Sequence, residues 1–349
     1  MTASSLDFQH LSPEFVLDAV EELGFAVNGR MLALNSYENR VYQLGIEDGP
    51  PLIAKFYRPG RWTDQGILEE HQFVAELVER EIPVVAALMV NGNTLHHATA
   101  RSTLTECSIQ ERATCPPALS TMRFALFPQH AGRAPELDHP ETLEWMGRFI
   151  GRIHAVGALA SYVERPSITL QSFGVASRDY LIANHAIPPE LLTTYTSTTT
   201  QALEDIARCF ERAGAIPHLR LHGDCHPGNV LWTDAGPHFV DFDDSRMGPA
   251  MQDIWMLLSG SRQDMRRQLG DILAGYEDFY EFHPRELHLI EALRTLRLMH
   301  YSAWLAQRWN DPAFKIAFPW FASPMYWSDR IAELREQCVL MSEDPLWHA

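Results

Sequence analysis

Short apolar runs separated by polar turns fill the first third of the chain and predict a small β-sheet. The predicted strands cover residues 31–34, 40–46, 52–57, 82–90 and 123–128. Asn91-Gly92, directly after the fourth run, is a strong signal for a two-residue hairpin turn. Amphipathic spacing predicts two helices in this part, one capped by Ser12 and one over residues 63–81.

From Pro140 onward the apolar residues follow the helical period. Their spacing predicts a helix over residues 141–156, two helices within 172–210 and further helices over 285–340. A stretch of mixed short runs from Leu221 to Leu257 interrupts this pattern. The chain is therefore expected to have a strand-rich first part and a mostly helical second part.

The stretch from Leu221 to Leu257 predicts a β-hairpin with polar residues at both ends. Apolar runs at 230–232 and 238–240 flank a turn rich in Asp, Gly and Pro. Asp224 and Asn229 precede the first run, and Asp241 follows the second. Because a hairpin folds its two ends together, we expect these three side chains to converge. Two carboxylates and an amide oxygen suit Mg²⁺ that is also bound to substrate phosphates.

The spacing of these residues is that of the phosphotransfer site of kinases. In that site the pattern Asp-x-x-x-x-Asn is followed by a metal-binding Asp after a strand. The alternative is a His-x-Asp that arises by chance and an Asp-rich turn that is merely solvated. The joint occurrence of His222, Asp224, Asn229 and Asp241 around one hairpin favours phosphotransfer. Asp253, in the next predicted helix, either bonds to the backbone of this loop or is an ordinary first-turn carboxylate.

Candidate nucleotide-binding residues lie in the strand-rich part. Lys55 stands inside an apolar strand, like the kinase lysine that binds the α- and β-phosphates. Its candidate partner is Glu70 in the following helix, with Glu69 as the competing choice. Ser36 and nearby backbone N–H groups could contact phosphate, although a plain hairpin turn explains that segment equally well. Backbone groups from Ala125 to Phe127 are the expected adenine contacts.

Composition and charge limit the classes of function. The 349 residues are 46% hydrophobic and 21% charged, as in a folded globular protein. The net charge of -17 argues against a nucleic-acid partner, because phosphate backbones bind basic surfaces. The N-terminal residues lack the features of a signal peptide, and no apolar stretch is long enough to cross a bilayer. We therefore expect no membrane partner either.

The cysteines and histidines do not indicate a metal centre. The five cysteines form no Cys-x-x-Cys pair, which suits a reducing cytoplasm. Cys107 and Cys115 lie in a polar stretch, residues 98–119, and are interpreted as free thiols in a loop or insertion. His218, His222 and His226 recur every four residues, but intervening Pro and Gly residues exclude the helix that a zinc face would need.

Several strings along the chain resemble the bacterial stress response kinase A family, in the aminoglycoside-phosphotransferase-like branch of the kinase fold. They extend over nearly the whole chain and read LNSYENRVYQL, AKFYRPGRWT, ILEEHQF, LRLHGDCHPGNVLW, FVDFDDSRMGPAMQDIWMLL and WNDPAF. The resemblance implies an α+β, bilobal protein-kinase-like fold with ATP between the lobes. A small antiparallel-sheet N-lobe would cover residues 1–128, and a larger, mostly helical C-lobe residues 129–349. The polar stretch at 101–117 is longer than the family pattern.

The same resemblance implies roles for individual residues. Asp224 would be the catalytic base, with Asp241 as the second catalytic carboxylate, and Asn229 and Asp241 would hold Mg²⁺. Ser36 and Lys55 would contact ATP. The implied activity is ATP- and Mg²⁺-dependent transfer of the γ-phosphoryl group to a Ser or Thr hydroxyl of a protein, in a bacterial stress response.

The phosphate acceptor has open alternatives. Kinases of this fold also phosphorylate choline, homoserine, sugars and aminoglycosides, so a kinase for a small-molecule alcohol is the second hypothesis. A pseudokinase that only binds nucleotide or a partner is the third, and the complete set of Lys55, Asp224, Asn229 and Asp241 argues against it. We expect a cytoplasmic monomer.

Overall fold

The computed structural model describes residues 8, 11–99 and 121–346, and the chain divides into two compact units. Unit 1 comprises Met1–Ala75 and Val85–His130, and unit 2 comprises Glu76–Val84 and Ala131–Ala349. The segment Glu76–Val84 groups with unit 2, a feature that the sequence pattern does not indicate. The domain bounds 1–128 and 129–349 stay a prediction. Cys107 and Cys115 lie outside the described residues.

The described part of unit 1 is an antiparallel sheet with two helices. The strands are β1 (Val27–Ala33), β2 (Arg40–Ile46), β3 (Leu52–Phe56), β4 (His96–Thr99) and β5 (Thr121–Pro128), in the order β1-β2-β3-β5-β4. Helix α1 (Pro13–Glu21) begins at Ser12, whose hydroxyl accepts the N–H of Phe15 as predicted. Helix α2 (Asp64–Glu79) starts in unit 1 and ends in unit 2.

The register of β3 and β5 separates the two faces of this sheet. Phe56 lies opposite Phe124, and their rings stack 5.1 Å apart in a core that includes α1. Burying each such ring stabilises the fold by about 2–3 kcal/mol. The next residues along the strands, Lys55 and Ala125, also lie opposite each other and point to the other face, since strand side chains alternate. Ala125 packs there with Ile67 of α2.

The predicted strand over residues 82–90 is wrong. Val84 makes a single bridge to Phe239, and Val90 makes one to Asn93 across the predicted Asn91-Gly92 turn. Pro83 has no N–H to donate, which disfavours a regular ladder at this point. The edge position beside β5 belongs to β4, whose sequence His-His-Ala-Thr gives little strand signal.

Unit 2 is mostly helical, as predicted. Its helices are α3 (Pro140–Gly157), α4 (Ala176–Ala183), α5 (Pro189–Ala213), α6 (Met251–Trp255), α7 (Arg262–Tyr276), α8 (Ile290–Arg308), α9 (Pro312–Ala317) and α10 (Pro324–Ser342). Two short pairs of strands accompany them, β6 (Leu219–Arg220) with β9 (Met247–Gly248) and β7 (Val230–Thr233) with β8 (Gly236–Phe239). The small antiparallel sheet in unit 1 and the helical unit 2 confirm the predicted α+β, bilobal fold.

Helices α3 and α7 approach each other closely through glycine. A side chain at Gly275 of α7 would place its Cβ 2.0 Å from the carbonyl oxygen of Glu144 in α3. This approach brings His154 of α3 within hydrogen-bond distance of Tyr276 of α7. None of the helices in the described ranges has an apolar stretch of the length needed to span a membrane.

Candidate active site

The predicted catalytic loop runs from β6 to the hairpin formed by β7 and β8. Gly223 adopts a positive φ of 87°, and a Cβ at this position would lie 2.1 Å from the carbonyl oxygen of Asp244. Only glycine fits such a turn without moving the backbone. After Asp224 the chain forms a single 3₁₀ turn over Pro227–Asn229, which leads into β7.

The Asp224 carboxylate, the candidate base, is surrounded by three polar side chains. His226 places Nε2 3.5 Å from its Oδ2, and Arg297 of α8 places Nη1 2.6 Å from its Oδ1. Asn229 donates from Nδ2 to the backbone carbonyl of Asp224 at 3.0 Å. Burial opposes the charged carboxylate, but His226 and Arg297 outweigh it and lower the pKa of Asp224.

His226 is oriented by the turn that it begins. Its Nδ1 accepts the backbone N–H of Gly228 at 3.0 Å. The proton of the neutral ring therefore lies on Nε2, the nitrogen that faces Asp224. The loop backbone thus determines that His226 donates toward the candidate base.

The hairpin brings together its two ends, as the sequence predicts. Val230 pairs with Phe239, and the N–H of Val240 donates to the carbonyl of Asn229 at 3.0 Å. Asp241 follows directly, with an exposed side chain and a left-handed backbone (φ 61°). A non-glycine residue in this conformation costs about 1–2 kcal/mol, which is typical of functional turns.

Asn229 and Asp241 carry the kinds of oxygen donor that a divalent cation prefers. The Nδ2 atom of Asn229 is directed to Asp224, so its Oδ1 remains as an oxygen donor. Mg²⁺ prefers one or two protein oxygens together with water and substrate phosphates. In the part of the chain that the structure describes, His, Cys, Asp and Glu side chains form no group of three or more suited to a metal.

Asp253 holds the backbone of the catalytic loop. Its Oδ2 accepts the N–H of His222 and its Oδ1 the N–H of Gly223, both at 2.8 Å. Oδ2 also lies 3.0 Å from Nε2 of His154, whose Nδ1 lies 2.9 Å from the hydroxyl of Tyr276. All of these groups are buried. The loop-backbone interpretation of Asp253 is confirmed, and the ordinary first-turn carboxylate is wrong.

A buried arginine fixes the turn after Asp241. Arg165 donates from Nη1 to the carbonyls of Asp243 (2.9 Å) and Ser245 (2.8 Å). The hydroxyl of Ser245 in turn donates to the carbonyl of Leu221 at 2.5 Å. These bonds join the turn after the hairpin to the start of the catalytic loop.

In unit 1, Lys55 and its candidate partner are both buried. Lys55 is 6% exposed and lies on the α2 face of the sheet, with Nζ 5.5 Å from the ring centroid of Tyr57. Glu70 of α2 is 3% exposed, whereas Glu69 is partly exposed. A buried charge needs a partner of opposite charge, so burial favours Glu70 over Glu69. The pairing itself stays a prediction.

Arginine organises the turn that contains Ser36. Arg58 donates from Nε to the carbonyl of Glu38 (2.9 Å) and from Nη2 to that of Tyr37 (3.1 Å). Its backbone N–H donates to Oδ1 of Asn39, whose carbonyl accepts the Ser36 hydroxyl at 3.3 Å. This network fixes the conformation of the turn, which contains no glycine.

The backbone at the predicted adenine contacts faces β3. The N–H of Tyr57 donates to the carbonyl of Arg123, and the N–H of Leu88 donates to that of Leu126. Because backbone groups alternate along an antiparallel strand, those of Ala125 and Phe127 point to β3, like those of Arg123. Adenine binding at Ala125 and Phe127 stays a prediction. It would need backbone groups of these residues that are not hydrogen-bonded to β3.

Sequence reasoning missed several residues of these networks. Arg58, His154, Arg165 and Arg297 each lie far along the chain from the groups that they contact. A single Arg or His in a helix or loop carries no local signal for such a contact. Only the fold identifies them.

The sequence matches a known protein family and several named relatives. The family model described as "Phosphotransferase enzyme family" matches residues 31–290. Stress response kinase A of Escherichia coli strain K12 is 41% identical over 346 residues, 99% of this chain and 98% of that protein. A protein of Salmonella typhimurium named serine/threonine protein kinase RdoA is also 41% identical, over the same shares of both chains.

Solved structures share the fold at low sequence identity. An amicoumacin kinase in complex with AMP-PNP, Ca²⁺ and its ligand aligns with a TM-score of 0.72 and 17% identity, covering 97% of this chain and 96% of that chain. A microcompartment-associated aminopropanol kinase aligns with a TM-score of 0.68 and 17% identity, covering 95% and 96%. These similarities extend over both units of the chain.

Proposed function

This chain belongs to the phosphotransferase enzyme family, in the group of stress response kinase A, and we propose that it is an ATP- and Mg²⁺-dependent serine/threonine protein kinase. The observation that carries this proposal is the environment of Asp224. Its pKa is lowered, its Oδ2 faces the N–H of His226, and its loop is fixed by Asp253. A carboxylate held ionised and in place can accept the proton of a hydroxyl group.

In the proposed reaction, Asp224 orients the acceptor hydroxyl and takes its proton. The hydroxyl oxygen forms a bond to the γ-phosphorus of ATP while the bond from that phosphorus to the β,γ-bridging oxygen breaks. The products are the phosphorylated hydroxyl and ADP. Most of the acceleration would come from positioning and electrostatics, because the protein forms no covalent bond.

Other residues would bind the nucleotide. Ser36 and Lys55, the latter paired with Glu70, are proposed to contact the ATP phosphates. Adenine contacts at Ala125 and Phe127 are proposed only for groups of these residues that β3 does not occupy. Asn229 and Asp241 would hold Mg²⁺, which would supply positive charge against the phosphate oxygens. The amide of Asn229 supports the proposed metal role, and the buried positions of Lys55 and Glu70 support their proposed pairing.

The name of one relative, serine/threonine protein kinase RdoA, supports a Ser or Thr hydroxyl of a protein as the acceptor. The names stress response kinase A of other relatives support a role in a stress response. A cytoplasmic monomer is proposed with this activity. The second candidate is a small-molecule kinase, which the names of the aminopropanol and amicoumacin kinases of the same fold suggest.

Radiolabelled ATP distinguishes these candidates. The purified chain would be incubated with [γ-³²P]ATP and Mg²⁺, with an acidic protein, a basic protein or a mixture of amino alcohols and sugars. Label on Ser or Thr that disappears in Asp224→Asn supports the protein kinase. Label only in the small-molecule fraction supports the second candidate, and absence of label from every acceptor contradicts both.

A further inference from the structure

Arg297 contacts the candidate base, but it does not join the buried hydrogen bonds that hold the loop around that base. Its Nη1 lies 2.6 Å from Oδ1 of Asp224, yet this oxygen is buried and has no aligned hydrogen bond. The contact is therefore an ion pair rather than a fixed, directional bond. Within the described residues, it is the one polar contact found for the Arg297 guanidinium.

The structural arginines of unit 2 differ from Arg297 in burial and in their bonds to the backbone. Arg165 and Arg220 are 3% and 4% exposed, and each donates to a backbone carbonyl, with Arg220 also paired with Glu76. The side chain of Arg297 is 39% exposed and has a carboxylate as its partner. A guanidinium has five N–H donors, and most of those on Arg297 remain available at the surface.

The acceptor must come close to this guanidinium if Asp224 is the base. A general base lies within about 2.6–3.2 Å of the hydroxyl oxygen that it deprotonates. The Arg297 guanidinium touches the same carboxylate, so a charged group beside the acceptor hydroxyl would meet it within a few ångströms. At that distance two charges interact strongly even when the medium is partly aqueous.

The overall charge of the chain does not reverse this local effect. The net charge of -17 is spread over the whole sequence, and charges farther apart than about 10 Å are screened at ordinary salt. The other charges near Asp224 are partly compensated, because Asp244 lies 3.4 Å from Arg246. Arg297 is paired with the Asp224 carboxylate, and its remaining N–H donors are the positively charged groups nearest to an acceptor hydroxyl bound at Asp224.

We propose that Arg297 is a specificity-determining residue that binds an anionic group beside the acceptor hydroxyl. The preferred acceptor is thus a hydroxyl flanked by a carboxylate or phosphate, such as a Ser in an acidic peptide, and not one flanked by an ammonium group. This inference rests on the proposed role of Asp224 as the base. It deepens the proposed function by naming the charge of the acceptor.

Three peptides that differ only in charge test this inference by binding. Each has a central Ser with Glu, Gln or Lys on both sides, and each is titrated into the full chain with AMP-PNP and Mg²⁺ in a calorimeter. The variants are Arg297→Gln, Arg297→Glu and the charge-preserving Arg297→Lys. Arg267→Gln is the control, since Arg267 is exposed and pairs with Asp271 in its own helix.

The wild type is expected to bind the Glu peptide about tenfold more tightly than the Lys peptide. Arg297→Gln should lose this preference, Arg297→Glu should reverse it, and Arg297→Lys and the control should retain it. A wild type that binds the Lys peptide equally or more tightly overturns the inference, and so does undetectable binding of the Glu peptide. The inference is also overturned if Arg297→Glu still binds the Glu peptide more tightly than the Lys peptide.

Transfer is measured separately, so that the two proposals can fail independently. Incubation of the same peptides with [γ-³²P]ATP reports whether phosphate reaches Ser. A charge preference in binding without transfer to any peptide contradicts the proposed kinase activity on Ser and leaves the inference on Arg297 supported. Transfer to the Lys peptide in preference to the Glu peptide contradicts the inference alone.

Discussion

The Nε2 atom of His154 lies 3.0 Å from Oδ2 of Asp253, and both side chains are almost completely buried. Asp253 uses its two oxygens to accept the N–H groups of His222 and Gly223 as well. One carboxylate in α6 thus connects α3 to the loop that carries Asp224. The position of the candidate base therefore depends on the packing of unit 2.

Replacing Asp253 should damage both stability and transfer. Asp253→Ala leaves the N–H groups of His222 and Gly223 and the ring of His154 without their acceptor, at a cost of about 3–5 kcal/mol. Urea unfolding and the rate of phosphate transfer measure the two effects. Asp264→Ala, at an exposed capping box of α7, is the control and should cost only about 1 kcal/mol. A fully active and stable Asp253→Ala would contradict the connecting role.

Alanine substitutions at Gly223 and Gly60 distinguish the cost of a steric clash from the cost of a positive φ alone. Gly223→Ala should lose activity and at least about 3 kcal/mol of stability, because its Cβ would overlap the carbonyl of Asp244. Gly60 also has a positive φ, 75°, but a Cβ there would meet no atom within 4 Å. Gly60→Ala should therefore cost only about 1–2 kcal/mol. Equal losses in the two variants would refute the steric explanation.

Arg58 should act on nucleotide binding more than on turnover. Lys at this position cannot bridge the carbonyls of Tyr37 and Glu38, so the turn around Ser36 would loosen. We expect Arg58→Lys to raise the KM for ATP about tenfold, or about 1.4 kcal/mol, with little change in kcat. Arg30→Lys, at an exposed position in β1, is the control. An unchanged KM would show that this turn does not contact ATP.

Glu286 should make stability depend on pH. Burial raises its pKa to about 7, although the Met251 N–H that it accepts favours the charged form. The folded state therefore binds the proton more tightly than the unfolded chain, whose pKa is 4.5. The free energy of unfolding should fall as the pH rises from about 4.5 to 7, by up to about 3 kcal/mol.

The isosteric variant Glu286→Gln tests this dependence. Its side chain still accepts the Met251 N–H but does not ionise, so it should match the wild type near pH 4.5 and be more stable above pH 7. Urea unfolding at several pH values measures the difference. Glu211→Gln, at an exposed position of α5, should show no such trend. A constant difference between Glu286→Gln and the wild type would contradict the buried-carboxyl explanation.

The parts of the site that depend on local pattern were predictable from the sequence. The hairpin after Asn229 follows from two apolar runs separated by a turn, and the structure has it as expected, with Asp234 and Ala235 between the paired Thr233 and Gly236. The burial of Glu70, in contrast to Glu69, agrees with the helical period of α2, while its pairing with Lys55 stays a prediction. Both features depend only on residues that are close together along the chain.

Contacts between distant segments were not predictable from the sequence. The edge strand β4 replaces the strand expected at 82–90, because pairing with β5 outweighs a weak local strand preference. Arg58, Arg165 and Arg297 acquire their roles only when loops and helices meet. The spacing of Asp224, Asn229 and Asp241 identifies the chemistry, but not the residues that hold these groups in place.

The most direct test of the account compares Asp224→Asn with the wild type. Asn keeps the shape of the side chain but cannot accept the hydroxyl proton as a carboxylate does. Transfer of ³²P from ATP should fall by about 10²–10⁴-fold, whereas the calorimetric affinity for AMP-PNP with Mg²⁺ should stay unchanged. Transfer at the wild-type rate in Asp224→Asn would contradict the role of this residue as the base.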